Sequence, residues 1–228
     1  MLPSRFGSYP VAVVFAAAFF FSCNCQGPGI NNGTDGGVGV FDGGLSDALY
    51  VEPAMAEVVV KQKNVTHSQQ FVAKDAKTMV PLTVGWVLDR DDLGKIDQSG
   101  LFTTQSLVGG IIKVRANSNG LWAEATLLVR VEIKEDDPAG TGPVDPDTLP
   151  HLNAPTPNTG TQGPKILYPY ANTVFPRGII SPLVQYDPMG FQPKATRVTI
   201  TAPNFIWTGD MKVNDSNKPR FVIPEDIW

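Results

Sequence analysis

The residues of this 228-residue chain best placed for chemistry are two cysteines, Cys23 and Cys25, at the end of an apolar run. Arg5 precedes the run Val11 to Phe21, and Ser22 stands directly before Cys23. A positive start, a short apolar segment and a small residue before the cut are what the secretion channel requires. As a helix rising ~1.5 Å per residue the run reaches only ~17 Å. That is about half of a ~30 Å hydrocarbon core, so the segment reads as an export signal and not as a spanning helix. The other candidates are weaker. His67 sits in Thr66-His67-Ser68 without the glycine-flanked serine of a nucleophile elbow, and His151 lies in a proline-rich stretch. Asp89, Asp91 and Asp92 follow Trp86 in a turn, where a carboxylate run is normally a solvated tip. Read functionally, that trio is a surface contact for a cation or a partner. Asp35, Asp42 and Asp47 lie among glycines too sparsely for a calcium loop. No phosphate loop, dinucleotide fingerprint or histidine-rich metal motif appears, and two cysteines are too few for a cysteine zinc site. The expectation is a non-enzymatic protein with no catalytic residues, no cofactor and no metal.

The succession Phe20-Phe21-Ser22-Cys23 resembles the lipobox of bacterial lipoproteins, with Phe20 where that family usually has leucine. The resemblance covers residues 1–23. It implies that Cys23 becomes the new N-terminus and carries acyl chains such as palmitate, with Cys25 as the fallback. Several chains, each contributing ~0.8 kcal/mol per buried CH₂, hold a protein on a membrane durably. An acylated Cys23 is no longer a thiol, which leaves Cys25 without a partner for a disulfide in the same chain.

Twenty prolines and 22 glycines, with 18% charged residues, favour extended strands and turns over long helices, so the fold class is all-β. The net charge of −4, without a basic cluster interleaved with aromatics, gives nucleic acid nothing to hold. Residues 24–48 are glycine-rich and poor in apolar groups, the composition of a flexible tether. From 49 to 134 the text becomes short β-branched and aromatic runs separated by turn signals such as Asp97-Gln98-Ser99-Gly100 and Asn117-Ser118-Asn119-Gly120. Leu121 to Ile133 alternates strictly, with Leu121, Ala123, Ala125, Leu127, Val129, Val131 and Ile133 on one face.

Trp86, then Leu93-Gly94-Lys95-Ile96-Asp97, Gly100-Leu101-Phe102-Thr103, Gly109-Gly110 leading into Ile112, Val114 and Ala116, then Ala125 and Val129, is a succession similar to the bacterial immunoglobulin-like domain, group 2. The resemblance spans nearly all of 49–134 and implies a β-sandwich. Trp86 would then be a central core anchor, Phe102 a core plug and Gly100 a turn residue with positive φ. Residues 135–165 repeat prolines, which forbid a helix and predict a semi-stiff spacer. Residues 166–228 resume strand-like runs. Their opening, Ile166-Leu167-Tyr168-Pro169 to Phe175-Pro176, resembles the front half of a fibronectin type III-like module. Such a module would have an unpaired edge, to be completed by further C-terminal sequence or by a partner strand. Together these features predict an exported lipoprotein on the bacterial outer membrane or cell surface, held through its lipid anchor. Its immunoglobulin-like modules would act in adhesion, surface architecture or the binding of protein or carbohydrate. The alternative expectation is an accessory region of a larger exported enzyme or receptor whose working domain lies beyond residue 228.

Overall fold

The computed structural model describes residues 49–154, 164–176, 178–190, 192–214 and 220–228. The export signal, Cys23, Cys25, the stretch 24–48 with its three aspartates, and residues 155–163 of the proline-rich segment lie outside the described residues. The fold is all-β, of β-sandwich type, as the composition predicts. Its described residues divide into two compact units, one of 49–60 and 64–130, the other of 61–63 and 131–228.

The first unit contains β1 (Leu49–Glu52), β2 (Met55–Val60), β3 (Ser68–Gln70), β4 (Val72–Asp75), β5 (Gly85–Leu88), β6 (Gly94–Ile96), β7 (Leu101–Thr104), β8 (Gly110–Ser118) and the first ten residues of β9 (Leu121–Asp136). One sheet runs β5-β8-β9 with β2 also pairing β9; a second runs β3-β7-β6, and β1 pairs β4. The β8–β9 hairpin turns at Asn119-Gly120 with φ of 48° and 82°, the left-handed pair that a two-residue hairpin turn needs. That turn fixes the register. Ile112 faces Leu127, Val114 faces Ala125 and Ala116 faces Ala123, all buried. On the outer face Glu124 pairs with Lys113 at 3.2 Å and with Arg115 at 3.0 Å. Burial raises the Glu124 carboxyl, and hydrogen bonds from Arg115 and Lys113 outweigh it, leaving the group below its ordinary value. Phe71, Leu93 and Phe102 are fully buried in the core. Phe102 thus plugs the core as expected.

The second unit is built from the end of β9, helix α1 (Leu149–Asn153), β10 (Lys165–Tyr168), β11 (Leu183–Asp187), β12 (Ala195–Ala202), β13 (Phe205–Lys212) and β14 (Arg220–Val222). The β12–β13 hairpin turns at Pro203-Asn204: proline presets its own φ, and Asn204 takes φ of 57°. β13 then lies parallel to β9, from Phe205 opposite Val131 to Asp210 opposite Asp136. β11 lies between β10 and β14. Trp207 is fully buried, stacked on Phe221 with centroids 6.2 Å apart, and its Nε1–H donates to Glu135 at 2.6 Å. Glu135 is also paired with Lys63 at 2.8 Å.

Two expectations are corrected here. The unit does not begin at residue 166, because β13 takes its neighbour strand from β9, on the N-terminal side. Nor is the first part of the proline-rich segment a spacer. Val144 and Leu152 form a buried cluster with Ala195, and the Thr141 hydroxyl donates to the Lys212 carbonyl at 2.9 Å. The prolines also do not prevent a helix, since Pro150 occupies the first turn of α1, where a missing N–H leaves no bond unmade. His151 lies exposed on that helix.

Arg197 ties these pieces together. Its guanidinium donates to both oxygens of the fully buried Asp210, at 2.5 and 2.7 Å, to the Leu152 carbonyl at 2.8 Å and to Asn153 Oδ1 at 2.9 Å. The hydrogen bonds it donates to Asp210 come first among the causes that raise the Arg197 pKa. Removing one member of a buried pair strands the other, so Asp210→Ala is expected to cost ~3–5 kcal/mol in denaturant unfolding of the second unit. The double change Arg197→Met with Asp210→Leu is expected to recover most of that loss, because no charge is then left buried alone.

Candidate binding cleft

In the first unit three chain segments meet around a shallow, half-open cleft of about 220 Å³. Its floor is Phe71, Val72 and Ala73, at the start of β4. One wall is Pro81 to Val84 with Trp86 of β5, and the other is Gln98 and Ser99 of the turn before β7. Each segment is fixed by backbone bonds. Leu82 N–H donates to the Ala73 carbonyl at 2.8 Å, and Phe71 N–H donates to the Gly100 carbonyl at 2.9 Å. Asp97 holds the turn: its Oδ1 accepts from the Ser99 hydroxyl at 2.6 Å, Ser99 N–H at 2.8 Å and Leu101 N–H at 3.0 Å. These bonds, the hydroxyl first, keep the Asp97 carboxyl below its ordinary value.

Trp86 is half-buried and lines this cleft, which corrects its assignment as the central core anchor. Among the described residues β5 ends its sheet, with β8 as its one sheet neighbour. Among the described residues of this unit, the fully buried aromatic side chains are Phe71 and Phe102. The indole is nevertheless held firmly. The Phe71 ring lies 6.5 Å away, and a Cβ on Gly100 would come within 2.9 Å of the indole's six-membered ring. Gly100 has the expected positive φ, 83°, and is required twice, once for its backbone conformation and once for its lack of a side chain.

The polar rim is unengaged. Among the described residues, the Trp86 indole N–H, the Thr83 hydroxyl and the Gln98 amide have no hydrogen-bond partner, and the indole nitrogen is not sealed from solvent. None of the ten lining residues is charged. Thr83, Gln98 and Phe71 were not singled out by the sequence, since they come from separate segments and share no motif.

The other sequence candidates do not converge. Asp89 Oδ1 accepts from Lys113 N–H at 2.9 Å, and Asp92 forms a two-point pair with Arg90 at 2.7 and 2.5 Å. That pairing, opposed by partial burial, lowers the Asp92 pKa. His67 Nδ1 lies 3.0 Å from the Val65 carbonyl, and the backbone of His67 is bonded to Thr104. Among the described residues no group of three or more His, Cys, Asp or Glu could hold a metal ion. Comparison with protein-family models and with curated proteins finds no match for this chain.

Gly100→Ala is expected to destabilise the first unit by ~1–2 kcal/mol from its left-handed backbone alone, and by more from the collision with Trp86 and the Phe71 carbonyl. Denaturant unfolding followed by tryptophan fluorescence measures both effects. A pH series gives a second check. Asp97 and Asp75 are both depressed in the folded chain, Asp75 by backbone hydrogen bonds from Thr78 and then Lys77. In the window between folded and unfolded pKa values the unfolded state binds more protons, so stability falls as the pH drops below about 4. Asp97→Asn is expected to flatten that fall.

Proposed function

We propose that this chain is a non-enzymatic surface lipoprotein, anchored in a bacterial membrane through Cys23, whose β-modules act in adhesion, binding or surface architecture. The observation that carries the reading is the N-terminal succession of Arg5, the apolar run Val11 to Phe21 and Ser22-Cys23. More than one acyl chain at Cys23 would hold the protein durably on the membrane. The glycine-rich 24–48 stretch serves as the tether that lifts the modules from the lipid surface. The all-β architecture supports a recognition role, since folds of this class hold loops and strand edges rigidly outward. The half-buried Trp86 beside unengaged polar groups gives the first unit a surface suited to a ligand.

Metabolic labelling of cells with a fatty-acid analogue tests the anchor. The wild-type chain and Cys25→Ala are expected to take up label and to sediment with membranes, and Cys23→Ala to do neither. Equal labelling of wild type and Cys23→Ala, or a soluble wild-type protein, would remove the lipoprotein reading. Protease treatment of intact cells then reports whether the modules face outward.

A further inference from the structure

We infer that the Trp86 cleft is a binding site for one ring of a neutral carbohydrate. The inference rests on the surface-binding reading above and assigns that reading a ligand class. A pyranose ring is amphipathic in a particular way: its C–H groups make an apolar face, and its hydroxyls make a polar rim. The cleft has the complementary arrangement. Its exposed apolar lining is the Trp86 indole with Pro81 and Leu82, and the same lining includes the indole N–H, the Thr83 hydroxyl and the Gln98 amide. The indole N–H is not sealed from solvent and is open to a ligand. That donor has no partner among the described residues, and neither do the Thr83 hydroxyl and the Gln98 amide.

Charge and size narrow the class. The absence of any charged side chain in the lining disfavours phosphorylated, sulfated or carboxylated ligands, which would leave their charge without a counter-ion. At about 220 Å³ the cleft is smaller than the ~300–1,000 Å³ pockets that enclose drug-sized ligands, which suits a single ring with the rest of a chain extending into solvent. The indole is also pre-positioned. Gly100 and Phe71 pin it, so little side-chain freedom is lost when a ring settles on it.

The test titrates the full-length chain with neutral trisaccharides (maltotriose, cellotriose, chitotriose and mannotriose) in a detergent with no sugar headgroup. Tryptophan fluorescence and calorimetry follow binding. At least one trisaccharide is expected to bind with a dissociation constant on the order of 1 mM, as fits an open cleft holding one ring. Trp86→Ala is expected to weaken binding by roughly tenfold or more, and Gln98→Ala by about three- to tenfold. Trp86→Phe is expected to keep part of the affinity through its ring, and Trp122→Phe, outside the cleft, to keep all of it. Thermal melts of each variant establish that it is folded. If Trp86→Ala does not fold, Gln98→Ala and Trp86→Phe decide the matter. Failure of every trisaccharide to bind, or binding indifferent to the folded cleft variants, overturns the inference. An extended apolar peptide binding where no trisaccharide does would also overturn it, in favour of strand addition. A chain that is lipidated and surface-exposed yet ignores every sugar leaves the anchor reading standing and removes only this ligand class.

Discussion

The period-two alternation of β9 is the constraint from which the rest of the structure follows. From Ala123 to Ile133 every second residue is buried, and the intervening Glu124, Thr126, Arg130 and Glu132 are not. A slip of one residue would drive those polar groups inward and the whole apolar row out, so the register is strongly specified. β8 repeats the same alternation opposite it, which makes the hairpin the fixed wall of the first unit. The last residues of the same strand provide the parallel neighbour of β13. A strand without a clear inward row could not have specified its partner in either unit.

Polar contacts do for the second unit what apolar periodicity does for the first. The stretch from Asp137 to Asn153 has too few apolar residues to be held by burial alone. Its shape is set by Asp137, which accepts from Thr141 N–H at 2.6 Å and Gly142 N–H at 2.9 Å, and by Arg197, which reaches the carbonyl end of α1. Val144 and Leu152 add a small apolar cluster with Ala195, against which Leu149 packs. A half-buried guanidinium beside a buried carboxylate is costly unless its donors are met, and here Asp210, the Leu152 carbonyl and Asn153 meet them. The network therefore selects one path for this part of the chain, since any other path would leave the charge short of acceptors.

This division explains what could be read from the sequence. The β8–β9 register, the Asn119-Gly120 turn and the left-handed Gly100 are local, each written in a few adjacent residues, and the all-β class is written in the composition. The role of Trp86 is not local. A large aromatic in a strand reads as core, but its burial depends on whether another segment covers β5, and no adjacent residue carries that information. The packing of the proline-rich stretch escaped for the opposite reason. Its composition lacks any period, so nothing in it announces that Arg197, far along the chain, would give it a surface to lie on. The cleft itself was legible only in Trp86, because its other walls come from β4 and from the turn at Gln98.

Buried polar groups of the second unit are matched within the fold. In the interior of the second unit the buried Asp210 is matched by Arg197, Thr196 lies 3.4 Å from the Tyr186 hydroxyl, and Ser181 donates to Glu225. Leaving such groups unmet would cost ~1–3 kcal/mol each, so a folded interior rarely contains them. The Trp86 cleft lies outside that rule, because Thr83 and Gln98 are exposed and water reaches its donors in the free chain. Exposed apolar residues elsewhere, such as Tyr170, Val174 and Ile180, do not name an occupant by their exposure alone. A ligand that replaces water at the Trp86 rim must bring hydroxyl or amide groups to the same positions and an apolar face to the indole. That combined demand is why the cleft selects by chemistry and not merely by shape.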